Sequence, residues 1–329
     1  MKRSDDGWHM KGWEPIALQG IKTYSLKERP SKVSIKDFAS SWKPGGGFDL
    51  WAKGLPRILA GDDLKKVITR LTEAVREKKI VLVAMGAHVI KVGLSPVLLD
   101  LMERGIISGI AMNGAGIIHD LEVAMVGATS EDVDSELHLG RFGMARETGE
   151  FLNKAINDGA GRGRGLGYSV GMSILDEGFP YNEYSILAGA VRMDIPVTVH
   201  VAIGTDIIHV HPAVDGAAIG KASHLDFRIF ASLVSQLEGG VYINLGSAAV
   251  LPEVFLKAFT LVKNLGFTFR HFTTVDMDFM RQYRPLTNVV KRPTSEGGEG
   301  FSLTGHHEIM VPLLAAALIE NLEGNSVIS

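Results

Sequence analysis

Residues 80–122 constrain the fold of this chain more than any other stretch. They contain two largely apolar runs, residues 80–85 and 107–112, and runs of this length are typical of strands that are buried on both faces. Between the runs, apolar residues recur at helical spacing, and Gly105 follows where the helix would end. The order strand, helix, strand predicts a parallel βαβ unit.

Strand and helix patterns continue to alternate through the second half of the chain. Residues 195–203, 240–245 and 267–275 are predicted to be strands with helices between them, and a closing helix is predicted over residues 308–322. This alternation favours right-handed crossovers and a parallel sheet that is covered on both faces. We therefore predict an α/β fold with a Rossmann-like, doubly wound, mainly parallel sheet.

Two stretches in the middle of the chain are less regular. Residues 130–157 begin with acidic side chains and carry basic ones later, a distribution that suits the dipole of a single helix. Residues 159–171 are rich in glycine and are predicted to form a surface loop. Arg162 and Arg164 in this loop are candidates for holding a phosphate or carboxylate, and a mobile connection without a ligand is the alternative.

The N-terminal segment, residues 1–59, has little periodicity and contains Trp8, Trp13, Trp42 and Trp51. We predict that it is an arm that anchors either on its own core or on a neighbouring subunit. Residues 60–329 are then predicted to form a single α/β domain, because the strand and helix patterns fill this range without a linker.

Composition excludes several classes of function. The chain has no cysteine, which rules out disulfides, thiolate nucleophiles and cysteine-ligated metals. A net charge of −3 gives no reason to expect a nucleic-acid partner. The N-terminus lacks the apolar region of a signal peptide and no apolar run reaches transmembrane length, so we predict a cytoplasmic protein without a membrane partner.

Small residues follow two of the predicted strands. Asn113-Gly114-Ala115-Gly116 comes after the second strand and Gly246-Ser247-Ala248 after a later one. Small residues between a strand and a helix let backbone N–H groups approach a phosphate or another anion. A complete G-x-G-x-x-G fingerprint with its acidic partner is absent, so the turns alone do not predict a dinucleotide site.

Asp206 and Lys291 are the side chains that suggest amine chemistry. Asp206 follows a predicted strand, where its carboxylate could bind a cationic substrate or a ribose hydroxyl, or could serve as a helix N-cap. Lys291 lies between apolar residues in a predicted loop. A lysine that is desolvated in this way loses proton affinity and becomes a nucleophile for imine formation, whereas most lysines are solvated surface charges.

The histidines allow a second interpretation. His209 and His211 would point to the same face of an extended segment, as two ligands of one divalent metal must. His200, Asp206, His306, His307 and Glu308 are possible further ligands. Polar linings of a cleft, or histidines satisfied in the core, are the alternatives.

Several ordered segments resemble the deoxyhypusine synthase family. No single motif is specific, and the common order over residues 80–319 carries the resemblance. The segments are Asn113-Gly114-Ala115-Gly116, Asp194-Ile195-Pro196-Val197, Ile203-Gly204-Thr205-Asp206, Leu245-Gly246-Ser247-Ala248, Phe272-Thr273-Thr274-Val275, Arg284-Pro285 with Val290-Lys291, and Val311-Pro312-Leu313-Leu314.

The resemblance implies an NAD-dependent transferase that acts on a polyamine such as spermidine through an imine on a lysine. It implies a homotetramer with sites between subunits. Carried over position by position, Lys291 would form the imine, Asp206 would bind the amine, and His119, which replaces one of the family's acids, is the further catalytic candidate. The implied NAD contacts are Ala87, His88, Asn113, Gly114, Ala115, Gly116, Gly246, Ser247, Thr274, His306 and His307.

The chain also departs from the family pattern. Ile118 and His119 replace two acids, Pro252 replaces a histidine, Val289 and Val290 stand where a tryptophan precedes the lysine, and His306-His307 replaces Asp-Ala. These changes make the site less anionic than a polyamine pocket. The alternative function is therefore a histidine-lined, metal-dependent hydrolase, or a ligand-binding protein without catalysis, on the same fold.

Overall fold

Six parallel strands form one sheet in the computed structural model, which describes Trp13 and residues 15–323. The strands are β1 (Val81–Met85), β2 (Gly109–Asn113), β3 (Val197–His200), β4 (Val241–Leu245), β5 (Thr273–Asp278) and β6 (Glu299–Thr304). Their order across the sheet is β3-β2-β1-β4-β5-β6. The order reverses between β1 and β4, and doubly wound sheets bind ligands outside the carboxyl ends of the strands at this switch point.

Helices cover both faces of the sheet, as the βαβ crossovers require. In chain order they are α1 (Phe48–Lys53), α2 (Leu59–Arg76), α3 (His88–Lys91), α4 (Ser95–Glu103), α5 (Gly114–Val126), α6 (Val133–Leu137), α7 (Arg146–Gly161), α8 (Leu166–Glu177), α9 (Ile186–Arg192), α10 (Gly216–Val234), α11 (Val250–Asn264), α12 (Tyr283–Pro285) and α13 (His307–Glu323). The Rossmann-like α/β prediction is confirmed, and its opening βαβ unit is β1, α4 and β2.

The middle of the chain differs from the prediction. The single helix expected over residues 130–157 is two helices, α6 and α7, because Gly140 and Gly143 between them adopt left-handed φ values of +65° and +74°. The glycine-rich residues 159–171 are mostly helical, since they end α7 and begin α8. Gly159 allows the two helices to pack: a Cβ on it would lie 1.9 Å from Ser169 Oγ.

The core has two parts, one on each face of the sheet. The larger face is aliphatic, with Met85, Met112 and Leu121 fully buried. The smaller face is aromatic: the ring of Tyr242 on β4 stacks on Phe255 of α11 with 3.8 Å between centroids. Both faces close over strands that carry no exposed residue along β1 or β4, which is the pattern that the largely apolar runs predict.

Residues 15–47 of the N-terminal segment lead to α1 and contain two short 3₁₀ helices. Most of its residues between 15 and 47 are exposed, and Trp13 and Trp42 keep 78% and 52% of their surface. The segment attaches to the body through α1, where Ala52 is buried and the Lys65 amine of α2 donates to Leu55 O at 2.7 Å. Trp51 lies on α1 against Phe48, and Trp8 lies outside the described residues.

Over the described range, no helix has both the length and the apolar composition that crossing a bilayer requires.

Candidate functional site

At the switch point, the glycine turn that follows β1 is in direct backbone contact with the glycine turn that follows β4. Gly86, which follows β1, donates from its N–H to Leu245 O at 2.9 Å. A Cβ on Gly86 would lie 2.4 Å from Gly246 O, so only glycine permits this approach. The glycines therefore join the ends of β1 and β4, and Ala87 and His88 begin α3 directly above them.

Four rings gather around this point. His88 starts α3, Phe279 follows β5, His307 starts α13, and His306 precedes it. The His88 and His307 centroids are 5.8 Å apart, and Phe279 lies 6.2 to 6.3 Å from His88, His306 and His307. We call His88, Phe279, His306 and His307 the ring cluster. Three of its members are histidines that the resemblance implies as NAD contacts, so the structure brings these separated segments together.

His307 is the buried member of the cluster, at 1% exposure. Its Nε2 lies 3.2 Å from Met277 O, and because a carbonyl oxygen can only accept, Nε2 carries the proton. Nδ1 is therefore an acceptor, and it is buried without a hydrogen-bond partner in the described part of the chain. Burial lowers the pKa of His307, so the ring is neutral at pH 7.

The carboxylate of Asp206 lies against the turn that follows β2. Asn113 Oδ1 accepts from Gly116 N–H at 3.1 Å and caps α5. A Cβ on Gly114 would lie 2.1 Å from Asp206 Oδ2, so the carboxylate stands directly in front of the α5 N-terminus. A phosphate at Gly114, Ala115 and Gly116 would face this carboxylate, so the structure favours a cationic ligand at this turn over an anion.

Asp206 is half-buried and takes part in no ion pair within the described residues. It occupies the N-cap position of a short 3₁₀ helix, Ile207–Val210, as the helix-cap interpretation of Asp206 predicts. Burial raises the pKa of its carboxyl, while His209 and a hydrogen bond from Thr205 act in the opposite direction. None of the ion pairs in the described residues includes Asp206, which leaves its charge available to a bound cation.

The metal interpretation of His209 and His211 depends on an extended segment, and this premise is wrong. His209 lies in the 3₁₀ helix, where residues two apart point to different sides. Its Nδ1 accepts from Gly204 and Asp206 N–H at 3.2 and 3.3 Å. His211 packs against Gly149 of α7. Within residues 15–323, no group of three histidine or carboxylate side chains has the arrangement of a metal site.

Lys291 is not in a desolvated loop. It is the exposed last residue of a π-helical turn, Leu286–Lys291, that continues α12. The preceding Val290 O lies against Gly300, near the start of β6. Lys291 therefore lies toward the amino ends of the strands, and the structure does not bring it together with Asp206 at the carboxyl ends.

Thr274 and Ser247 also have structural partners. Thr274 is the second residue of β5, fully buried, and its hydroxyl donates to Val289 O at 2.9 Å. This places Thr274 under the π-helical turn, away from the switch point. Ser247 is near the switch point, and its Oγ accepts from Leu251 N–H at 3.2 Å in the first turn of α11.

His119 lies on α5, on the same side as Ala115 one turn earlier. Its Nδ1 is 2.7 Å from Thr129 Oγ1. Burial, and then the positive charge of Lys91 in α3, lower the pKa of His119 to about 4. Sequence reasoning missed Thr129, Glu122 and Phe279 as neighbours of the site, and only the position of Phe279 directly after a strand could have pointed to it.

No protein-family profile and no curated protein sequence matches the chain. Solved structures do. A protein from Methanococcus maripaludis S2 with the provisional name LOR/SDH protein has 18% identity and a TM-score of 0.50, over 92% of this chain and 76% of that one. A protein from Entamoeba histolytica with the provisional name deoxyhypusine synthase has 12% identity and a TM-score of 0.50, over 88% and 99% of the two chains.

Unliganded AgrE has 17% identity and a TM-score of 0.50, over 78% of this chain. This chain spans about a third of the longer proteins that it matches: 32% of AgrE and 31% of ArgZ, an arginine dihydrolase from cyanobacteria. At such identities the similarity concerns architecture alone. The chain shares the Rossmann-like α/β fold of these proteins.

Proposed function

We propose that this protein is an NAD-dependent enzyme that oxidises a small-molecule amine, as the first stage of a deoxyhypusine synthase-like transfer of an aminoalkyl group. The observation that carries the proposal is the ring cluster at the switch point, in which Nδ1 of His307 has no hydrogen-bond partner among the described residues. Doubly wound sheets of this strand order bind dinucleotides at this position. The provisional name of the Entamoeba histolytica protein agrees with the reaction class.

The residues at the switch point fit a flat heteroaromatic ring of NAD. The exposed rings of His88 and Phe279 would stack against it, and His307 Nδ1 would accept a hydrogen bond from an amide or amino N–H. When bound, NAD supplies a hydride acceptor. The rest of the reaction depends on side chains of the protein.

Asp206 would bind the substrate amine. A half-buried carboxylate that forms no ion pair with the described residues would stabilise an ammonium group at the carboxyl edge of β2 and β3, one strand away from the switch point. Before hydride can leave the neighbouring carbon, the ammonium must lose a proton, because the nitrogen lone pair forms the new C=N bond. His119, whose ring is neutral at pH 7 and which lies on α5 one turn after Ala115, is the proton acceptor in the proposal.

NAD binding is the first test. We expect NAD to bind the purified chain in a calorimetric titration, and His88→Ala to weaken binding about tenfold, which corresponds to ~1.4 kcal/mol of lost stacking. His138→Ala, at an exposed histidine after α6, is the matched control and should bind as the wild type does. Absence of NAD binding in the wild type would refute the proposal.

The amine is tested by adding spermidine with NAD and following NADH fluorescence. Asp206→Asn should abolish NADH formation while NAD affinity stays the same, since Asp206 lies outside the ring cluster. The imine on Lys291 remains a separate prediction. Borohydride trapping followed by peptide mass spectrometry decides it, with Lys291→Arg as the control, and an unmodified Lys291 would show that the transfer does not proceed through an imine on Lys291.

A further inference from the structure

A chain of three hydrogen-bonded side chains lies beside the candidate site. His119 Nδ1 is 2.7 Å from Thr129 Oγ1, and Thr129 Oγ1 is 2.5 Å from Glu122 Oε2. The second carboxylate oxygen, Glu122 Oε1, accepts from Thr148 Oγ1 at 3.3 Å. We call His119, Thr129 and Glu122 the histidine relay. Its histidine and glutamate side chains keep 18% and 20% of their surface.

Local structure explains why these residues meet. His119 and Glu122 are three apart on α5 and so share a face of the helix. Gly127 ends α5 in the left-handed conformation, φ +69°, and turns the chain back along the helix. Thr129 then lies next to the last turns of α5. Thr148 comes from α7, so the carboxylate is fixed from two elements.

The number of available protons determines which atom donates in each hydrogen bond of the histidine relay. The hydroxyls of Thr129 and Thr148 both donate to the carboxylate oxygens of Glu122. The single hydroxyl proton of Thr129 is used in the bond to Glu122. Thr129 Oγ1 can then only accept from His119, which requires that His119 Nδ1 carries a proton. In a neutral imidazole, the lone pair is consequently on Nε2.

We propose that Thr129 and Glu122 are positioning residues that hold His119 in the Nδ1–H tautomer, so that Nε2 accepts a proton from the ammonium group of the substrate. The position of His119 supports this role. Ala115, one turn earlier on the same side of α5, lies at the carboxyl edge of the sheet, and α3, which begins with His88, packs against α5. The tautomer follows from the hydrogen bonds alone, whereas the substrate ammonium rests on the proposed function.

The step is a simple proton transfer. One N–H bond of the substrate ammonium breaks and one Nε2–H bond of His119 forms, without a change in oxidation state. The imidazolium then carries two protons, and its Nδ1–H still donates to Thr129. The Glu122 carboxylate lies 3.9 Å from Nδ1, the ring nitrogen that keeps its proton throughout the step. After the amine has reacted, His119 releases this proton to water.

The tautomer is measured directly by 15N NMR of protein labelled only at histidine, because protonated and unprotonated ring nitrogens differ widely in chemical shift. His119→Gln assigns the signals by removing them. We expect the wild type to show a protonated Nδ1 and an unprotonated Nε2 at pH 7. Thr129→Ser keeps the hydroxyl and should keep this pattern.

Two variants break the relay without removing the histidine. Thr129→Val is isosteric but has no hydroxyl, and should produce a mixture of both tautomers. Glu122→Gln can donate to Thr129, which lets the threonine hydroxyl donate to Nδ1 and should move the proton to Nε2. A wild type with protonated Nε2 would overturn the inference. So would a Thr129→Val and a Glu122→Gln protein that both keep the tautomer of the wild type. Backbone amide spectra that match the wild type exclude unfolding as the cause.

The catalytic part has its own readout. With NAD present, spermidine should shift the Nε2 signal of the wild type and leave it unshifted in Asp206→Asn. A correct tautomer without a spermidine response would refute the proton-acceptor role and the amine substrate together, while the positioning of His119 by Thr129 and Glu122 would stand. A wrong tautomer with NADH formation would refute the relay and leave the proposed function intact.

Discussion

At the scale of residues, buried carboxylates on helices hold distant segments together. Asp120 on α5 accepts from Ser185 Oγ and Ile186 N–H at 2.5 and 2.7 Å, and thereby caps α9. Asp226 on α10 accepts from Gly167 N–H and Val199 N–H at 2.9 and 2.8 Å, and so joins α8 to β3. Both side chains are fully buried. Burial raises the pKa of Asp120 to about 6 and that of Asp226 to about 7.

Asp226 therefore predicts a pH dependence of stability. Its pKa is raised from 3.8 in the folded state, so between these values the folded chain holds a proton that the unfolded chain has lost. Stability from this group is complete below pH 3.8 and falls as pH rises to about 7, by roughly 1.4 kcal/mol for each pH unit in that interval. Asp226→Asn cannot titrate and lacks this loss.

Urea unfolding at pH 5 and pH 8 measures the effect. We expect the difference in free energy of unfolding, Asp226→Asn minus wild type, to be more positive at pH 8 than at pH 5. Asp134→Asn on the exposed helix α6 is the control, and its difference should be the same at both pH values. An equal difference at both pH values for Asp226→Asn would show that the carboxylate is ionised throughout.

At the scale of elements, the strands β1, β2 and β4 were predictable and the helical glycines were not. Long apolar runs identify buried strands directly, so β1, β2 and β4 lie where their residues predict. Glycines in α7 and α8 suggested a loop, because glycine usually weakens a helix. In the structure these glycines permit close packing, which a single sequence does not reveal.

The accuracy of the predicted strands and helices also determined which candidate site residues could be placed. His88, Gly246 and His307 follow or precede correctly placed elements, and the carboxyl ends of parallel strands meet at one edge. The strand predicted over residues 267–275 is β5, Thr273–Asp278, so Thr274 moves from the end of a strand to its start. Because β6 was not predicted, the segment with Lys291 was not recognised as a crossover.

Two helical glycines give a matched test of this packing. A Cβ on Gly167 in α8 would lie 2.4 Å from Val197 O of β3, whereas one on Gly220 in α10 meets no atom within 4 Å. We expect Gly220→Ala to stabilise the protein by roughly 0.5–1 kcal/mol, since alanine favours a helix. Gly167→Ala should destabilise it by roughly 1–3 kcal/mol, since the helix must move away from the strand. Urea unfolding measures both, and a stabilising Gly167→Ala would contradict the packing.

At the scale of the whole molecule, the apolar surface of the arm is the main unexplained feature. Ile16 and Ile35 keep 88% and 83% of their surface, and Tyr24, Leu26 and Phe38 are also mostly exposed. Chains that are monomeric in solution rarely leave so many large apolar side chains exposed along one segment. We propose that the arm packs on another copy of the chain in a homotetramer, the assembly that the family resemblance implies.

Light scattering coupled to size-exclusion chromatography tests the assembly. We expect a mass about four times the 35.5 kDa of one chain. Replacing Ile16, Ile35 and Phe38 by serine should lower the mass, because burying each apolar side chain contributes roughly 1.5–3 kcal/mol to association. Serine at the polar, exposed positions Lys22, Lys32 and Lys36 of the same arm is the control and should leave the mass unchanged. A monomeric wild type at micromolar concentration would refute the homotetramer.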